Sequence, residues 1–267
     1  MEPLVSIIMG VYNAENTIRR AIDSVLSQTY NNWELIICDD CSLDNTFDIL
    51  NEYHEIDKRI TVIKNETNKR LAASLNHCLE QASGKYIARM DSDDENLPTR
   101  LEEQVGFLES HPEIDLVGTN RIIFDDRGDK GVRKSIEKPT KRTLLKGSPF
   151  AHPTIMTKKT VYDTLGGYAV SKKTMRAEDI ELWFRFYEHG YRGYNMQKAL
   201  YRYRESLEDL KKRSVKAGIE TSKVYYAGYK LLRFPVYERI WALKPIISSL
   251  VPHKMMMKYF ERGLKEI

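Results

Sequence analysis

Apolar residues in the first hundred positions follow two alternating periods. "VSIIM" (5–9), "ELIIC" (34–38), "ITVI" (60–63) and "KYIARM" (85–90) are short apolar runs of the kind that form buried strands. Between them the spacing becomes helical. Ile18, Ala21, Ile22, Val25 and Leu26 recur at i, i+3, i+4, i+7 and i+8, Phe47, Leu50 and Tyr53 mark a second helix, and Leu71 to Ala82 reads as a third, stopped by Gly84. Strands alternating with helices predict an α/β fold, a mainly parallel sheet with helices on both faces.

After residue 97 the rhythm changes. Pro98 suits the first turn of a helix running to about Glu109. "IDLVGTN" (114–120) and "RIIFDD" (121–126) predict two strands, "DRGDKG" (126–131) a turn, and "AEDIELWFRFYEHG" (177–190) a helix. A basic helix is expected from about Ser206 to Leu232, followed by a segment broken at Pro235, Pro245 and Pro252. No repeat or low-complexity linker separates these parts. The expected division is 1–205 as the catalytic unit, with 1–97 a nucleotide-binding half and 98–205 an acceptor-binding half, and 206–267 a basic helical extension.

In an open α/β sheet, ligands bind beyond the carboxyl ends of the strands. Three polar stretches fall there: "GVYNAE" (10–15), "DDCSLDN" (39–45) and "DSDD" (91–94). Asn13 and Asp44 are each compatible with capping as well as with binding. Asp91, Asp93 and Asp94 together exceed what a cap needs, and such crowding costs stability unless a cation or solvent relieves it. Asp-x-Asp presents hard oxygen ligands, which suits Mg²⁺ or Mn²⁺. A calcium loop starting at Asp91 would need Gly where Asn96 stands, and a strand precedes it instead of a helix. A phosphatase-type Asp nucleophile would belong to the first βα unit. Neither a G-x-G-x-x-G nor a P-loop motif is present, so the phosphates of any bound nucleotide require a metal.

The chain has 267 residues, 42% apolar and 30% charged, as expected of a soluble globular protein. No uncharged apolar run reaches the roughly 18 residues of a membrane span. The start "MEPLVSIIMG" lacks a basic flank and a cleavage site, and the three cysteines suit a reducing compartment, so a cytoplasmic protein is expected. Cys38-Asp-Asp-Cys41, with His77 and Cys78, is disfavoured as a zinc or redox site by its two intervening acids and by the absence of a second pair. The net charge of +4 conceals a division: from Tyr191 onward 17 Lys and Arg face 7 Asp and Glu, a net of +10, which leaves −6 for the first 190 residues. A basic tail on an acidic body points to an anionic partner.

"VSIIMGVYNAENTIRRAIDSVLSQTYNNWELIICDDCSLDNT", "KYIARMDSDDENLPTRL", "AHPTIM" and "AEDIELWFRF" together resemble glycosyltransferase family 2 over residues 4–204, in the same order. The resemblance implies the GT-A fold, a nucleotide-sugar donor and inversion at the anomeric carbon. It places Val11, Tyr12, Asn13 and Glu15 around the nucleoside. Asp40 would accept from the base N3–H, favouring uridine over thymidine diphosphate sugars. Asp91 and Ser92 would lie near ribose and the metal's water shell, with Asp93 as direct ligand to Mn²⁺ or Mg²⁺. Asp179 would be the general base and Glu178 a sugar-orienting neighbour. Trp183, four residues beyond Asp179, either stacks on a sugar ring or belongs to the core. His152 either touches metal or acceptor or is structural. Arg89 and Arg204 are candidate phosphate partners.

The family usually has Pro at Gly10, Gly at Cys41 and Gly near Lys69-Arg70, and the last two departures bear on loop geometry at the base pocket. The Gln-x-x-Arg-Trp motif of processive synthases is missing; the nearest segment is "LYRYRES", so single-sugar transfer is expected. The acceptor would be a glycan or lipid-linked saccharide in capsule, O-antigen or exopolysaccharide synthesis. The tail, with aromatics among lysines and arginines, either lies peripherally on the anionic inner face of a membrane or packs on the core. A degenerate binding module is the competing reading, against which stands the retention of both Asp93 and Asp179. Nucleic acid is not an expected partner, since no reading motif is present and the acidic body repels phosphate.

Overall fold

The computed structural model describes residues 2–171, 174, 177–205, 214–252, 255–256 and 263–266. Its first half is the alternation expected from the pattern: β1 (Val5–Val11), α1 (Ile18–Leu26), β2 (Trp33–Asp39), α2 (Thr46–Ile56), β3 (Ile60–Lys64), α3 (Leu71–Gln81) and β4 (Tyr86–Arg89). The second half comprises β5 (Glu95–Asn96), α4 (Arg100–Ser110), β6 (Leu116–Asp125), β7 (Gly128–Arg133), β8 (Met156–Lys158), α5 (Lys159–Leu165), α6 (Glu178–Glu188) and β9 (Gly193–Arg204). The two strands expected at 114–126 are one strand, β6. The turn expected at 126–131 shrinks to Asp126-Arg127, because Gly128–Arg133 pairs back on β6. The chain ends with α7 (Val215–Leu231), a 3₁₀ segment (Val236–Leu243) and α8 (Lys244–Ser249). The start of the basic helix expected at 206–213 lies outside the described residues.

The sheet runs β3-β2-β1-β4-β8-β6-β9-β5, with β7 on β6. β1 pairs in parallel with β2 and β4, and β2 with β3. β8 is antiparallel to both β4 and β6, and β9 is parallel to β6. Alternate residues serve the two faces, as the strand pleat requires. Val5, Ile7, Met9 and Val11 join the core under α1, α2 and α4. Ile8, Ile36 and Cys38 face α3, in a core that also takes Leu182, Trp183 and Phe186 from α6 and Val224, Tyr225, Tyr229, Leu232, Phe234 and Ala242 from beyond residue 205. The tail is therefore packed into the body through α7, where a Cβ on Gly228 would lie 2.2 Å from the ring of Phe184 in α6. Lys265 then pairs with Val132 of β7.

Candidate active site

The parallel strands deliver their loops to one edge of the sheet. β1 ends in Val11, buried, and Tyr12, 44% exposed. The next turn is tied to the loop after β2: Asn13 N–H donates to Ser42 Oγ (2.9 Å), and Asn13 Oδ1 accepts from Leu43 N–H (2.8 Å). Glu15 Oε2 accepts from Asn45 through both its N–H (3.1 Å) and its side-chain amide (2.8 Å). Asn13 and Glu15 thus hold the loops together, while Tyr12 is the side chain left open to a ligand. Asp44 joins the same tie, its Oδ2 accepting from Glu15 N–H at 3.2 Å and its Oδ1 from Thr46 N–H, at the start of α2, at 3.0 Å.

Asp40 follows β2 and is buried. Its Oδ1 accepts from Lys69 N–H (2.7 Å) and Asn65 Nδ2 (2.8 Å), and its Oδ2 from Arg70 N–H (2.7 Å). Three donors fix the carboxylate's orientation, and a carboxylate has about four acceptor sites, so one on Oδ2 remains. Asn65 also donates to Ser74 (3.1 Å). Cys41 and Arg70, the positions where the family usually has or borders glycine, adopt φ of 64° and 74°, and Asn13 adopts 52°. Positive φ favours glycine, and Arg70, with ψ of 166°, lies where glycine is nearly alone; such backbone costs other residues about 1–3 kcal/mol. At Gly10, where the family usually has Pro, a Cβ would sit 2.9 Å from Leu71.

The acid cluster follows β4. Oxygens of Asp91, Asp93 and Asp94 all lie within 4.8 Å of one another, and this is the group among the described residues able to hold a metal ion. Asp94 is buried, accepts from Arg204 N–H at 2.7 Å through Oδ1, and its buried Oδ2 has no hydrogen-bond partner. Burial, and then the charges of Asp91 and Asp93, push its pKa well above the usual carboxylate range. A divalent cation is the species that would reverse this. The donor set, carboxylates only, fits Mg²⁺ or Mn²⁺. Ser92 sits half-buried at the turn between Asp91 and Asp93.

Arg89 is not available to a phosphate. It is 3% exposed and forms a two-pronged ion pair with Asp91, Nη1 to Oδ2 at 2.5 Å. Desolvation, the largest single influence, would lower its pKa, but the charge and hydrogen bond of Asp91 together with Tyr201 and Tyr168 raise it overall. The ion pair fixes the direction of the Asp91 carboxylate. Arg204 closes the cluster from β9 through its backbone, while its guanidinium pairs with Asp126 at 2.5 Å.

Glu178 and Asp179 open α6, half-buried. Glu178 is pushed up to about 7, by burial first and by the charge of Asp179 second. Burial also raises Asp179. Asp91 and Arg89 act electrostatically on both acids, so α6 and the end of β4 share one site.

Two further residues stand elsewhere than in a ligand-facing role. Trp183 is 1% exposed, edge-on to Phe150 at 5.1 Å and to Phe186 at 6.3 Å, so its ring is core and cannot stack on a sugar. His152 is buried, its Nε2 sits 2.7 Å from the Tyr168 hydroxyl, and it lies outside the acid cluster that could hold a metal. Burial holds it well below the ordinary histidine pKa, so it is a neutral structural imidazole. Sequence reasoning missed Tyr201, whose hydroxyl accepts from Asp91 N–H at 3.1 Å, and Asn65. Tyr201 belongs to β9, where Tyr201, Arg202, Tyr203 and Arg204 alternate; that period of two was its available signal.

A mixed sheet with an acid cluster after β4 and an acidic pair opening α6 on the same edge defines a glycosyltransferase of GT-A fold. Comparison narrows this. The model of "Glycosyl transferase family 2" matches residues 6–175, and the chain belongs to that family. It is 47% identical over 262 residues to the putative glycosyltransferase EpsE of Bacillus subtilis, covering 97% of this chain and 94% of that one. It is 36% identical over 192 residues to WfaP of Escherichia coli, a UDP-Glc:α-D-GlcNAc-diphosphoundecaprenol β-1,3-glucosyltransferase, covering 72% and 73%. Among solved structures, Staphylococcus aureus TarS in complex with UDP-GlcNAc superposes with TM-score 0.70 at 20% identity, over 92% of this chain and 71% of that one. The mannosyltransferase PcManGT of Pyrobaculum calidifontis, with GDP-Man and Mn²⁺, gives 0.64 at 18%, over 98% and 80%. No described helix is long and apolar enough to cross a membrane.

Proposed function

We propose that the protein transfers one sugar, with inversion, from a uridine diphosphate sugar to a hydroxyl of a lipid-linked or growing saccharide in cell-surface polysaccharide synthesis. The observation that carries this is the convergence of Asp91, Asp93 and Asp94 with Glu178 and Asp179 at one sheet edge. Supporting the donor and acceptor classes, WfaP is named for UDP-Glc and a diphosphoundecaprenol acceptor.

In this reading Asp40, with its remaining acceptor position, takes the N3–H of uracil, and Tyr12 covers the base. Asp93, with Asp91 and Asp94, would hold a divalent cation, which would supply positive charge against that growing on the departing diphosphate. Arg89 fixes the Asp91 carboxylate within that cluster. Asp179 accepts the proton of the attacking hydroxyl, and Glu178 orients the acceptor sugar. One base serving one displacement inverts the anomeric centre, whereas retention would need a second carboxylate as nucleophile.

The test is calorimetry of uridine diphosphate with Mn²⁺ and with excess chelator, on wild type and Asp93→Ala. Binding is expected to be weak without metal, and the variant should lose the metal-dependent part. Tight binding in chelator, unchanged in Asp93→Ala, would overturn the donor side of the proposal.

A further inference from the structure

Large apolar side chains are unevenly exposed over this molecule. Tyr12, Leu43, Ile56, Ile136 and Val170 are scattered over the first 205 residues, whereas twelve others lie between Val215 and Met255. Val236 and Tyr237 are 77% and 75% exposed, Ile240 66%, Leu250 67%, Ile247 63% and Trp241 54%. Scattered single exposures are ordinary, but so dense a set within about forty residues marks a contact surface.

The surface has a definite construction. On α7, Val215, Ile219 and Tyr226 follow helical spacing and share a face with Lys223 and Lys230. Lys230 lies 5.9 Å from the ring of Tyr226. Between this face and the segment 236–246 runs a groove of about 550 Å³ whose wall includes Ile219, Tyr226, Val236, Ile240 and Leu243, with Lys223 and Arg239 at its border. The opposite face of α7 is committed to the body through Gly228 and Tyr229. Between residues 214 and 251 the basic residues are Lys216, Lys223, Lys230, Arg233, Arg239 and Lys244, and the acids are Glu220 and Glu238. Glu238 is buried and paired with Arg142 of the body, so the acid that offsets the outer charge is Glu220, paired with Lys223 at 2.8 Å.

We infer that this face of α7 and the segment 236–250 is a docking surface for an anionic lipid bilayer. Apolar chains would enter the headgroup boundary, Tyr237 and Trp241 would sit at the interface, and the lysines and arginines would meet lipid phosphate. A second copy of the chain would bring like charges together, which disfavours that occupant. The surface also sits near the chemistry: Tyr225 of α7 lies close enough for the charge of Asp179 to act on its phenol. At about 10 Å per packed helix, docking would hold Asp179 on the order of 20 Å from the lipid surface. The inference rests on the reading above only for why a membrane matters; the docking is measured without catalysis.

The three tryptophans make the test direct. Trp33 and Trp183 are 2% and 1% exposed, so a change in emission on adding vesicles reports Trp241. The full chain should float with phosphatidylglycerol-containing vesicles at low salt, with blue-shifted emission, and should release in high salt. Pure phosphatidylcholine vesicles should bind far less. Tyr237→Ser with Trp241→Ser should lower partitioning on the order of tenfold. Lys223→Glu and Lys230→Glu, also exposed, should each lower it about fivefold. Cooperative thermal melts of all variants check that they fold, and they do so independently of the donor reading. A chain that ignores phosphatidylglycerol vesicles at low salt, or floats equally well with both tyrosine and tryptophan replaced, overturns it. So does a dimer that already shields Trp241 in the absence of lipid.

Discussion

Replacing Glu178 by Gln should make the protein more stable at alkaline pH while weakening its catalysis. Glu178 is raised from its ordinary 4.5 to about 7, through burial and the neighbouring charge of Asp179. The native state therefore binds this proton more tightly than the unfolded chain does. Below the unfolded value both states are protonated and the site costs nothing. Between the two values the unfolded chain gives up its proton while the native state keeps it, so stability falls as pH rises. Above about 7 the full cost remains, about 3 kcal/mol at 1.36 kcal/mol for each pKa unit. Glutamine keeps the shape without the charge and also removes the repulsion on Asp179. Urea melts at about pH 8.5, without nucleotide or divalent metal, should show Glu178→Gln more stable by about 1–3 kcal/mol. Thermal melts should show a gain of about 3–10 °C. Near pH 4.5 the gain should vanish. An equal difference at both pH values, or a loss at pH 8.5, would show that the ionised carboxylate makes a compensating contact, and the reasoning would fail.

Two other substitutions divide the site. Asp179→Asn should keep donor affinity within a few-fold while transfer falls by roughly 10²–10⁴, the usual worth of a general base; if it transfers at the wild-type rate while Glu178→Gln is dead, the base is Glu178. Trp183→Ala should destabilise by about 3–5 kcal/mol, the usual cost of emptying a buried aromatic site; a denaturation midpoint close to wild type would return Trp183 to the ligand-facing residues.

The first hundred residues were legible because each element there buries one face, and burial writes its period into the chain. α1 was predicted from Ile18, Ala21, Ile22, Val25 and Leu26; the first four are buried and Leu26, at the end of the helix, is partly so. The later strands were harder. β8 has three residues, too few for a period, and β9 mixes arginines with tyrosines because its charged side chains have partners: Arg202 pairs with Glu95 and Asp129, and Arg204 with Asp126. The acids of the site stood out because they crowd in sequence. Their neighbours did not. That Arg89 aims Asp91 and is closed to solvent follows from its place on a buried central strand. Trp183, on the helix that bears Asp179, is buried against Phe150 and His152 because the apolar stripe of α6 turns Leu182, Trp183 and Phe186 inward.

The ladder from β4 through β8 and β6 to β9 joins the parallel strands β1 to β4 to those that carry Tyr201 and Arg204. A cleft between two separate lobes can close by rotation about a hinge, but here such a rotation would tear main-chain hydrogen bonds along the middle of a single sheet. Adjustment to a substrate must therefore come from the connections at the rim, such as the stretch 66–70 that donates two backbone N–H groups to Asp40. Exchanging those connections between relatives is accordingly the economical way to change which sugar is transferred, because the platform beneath them would not have to move.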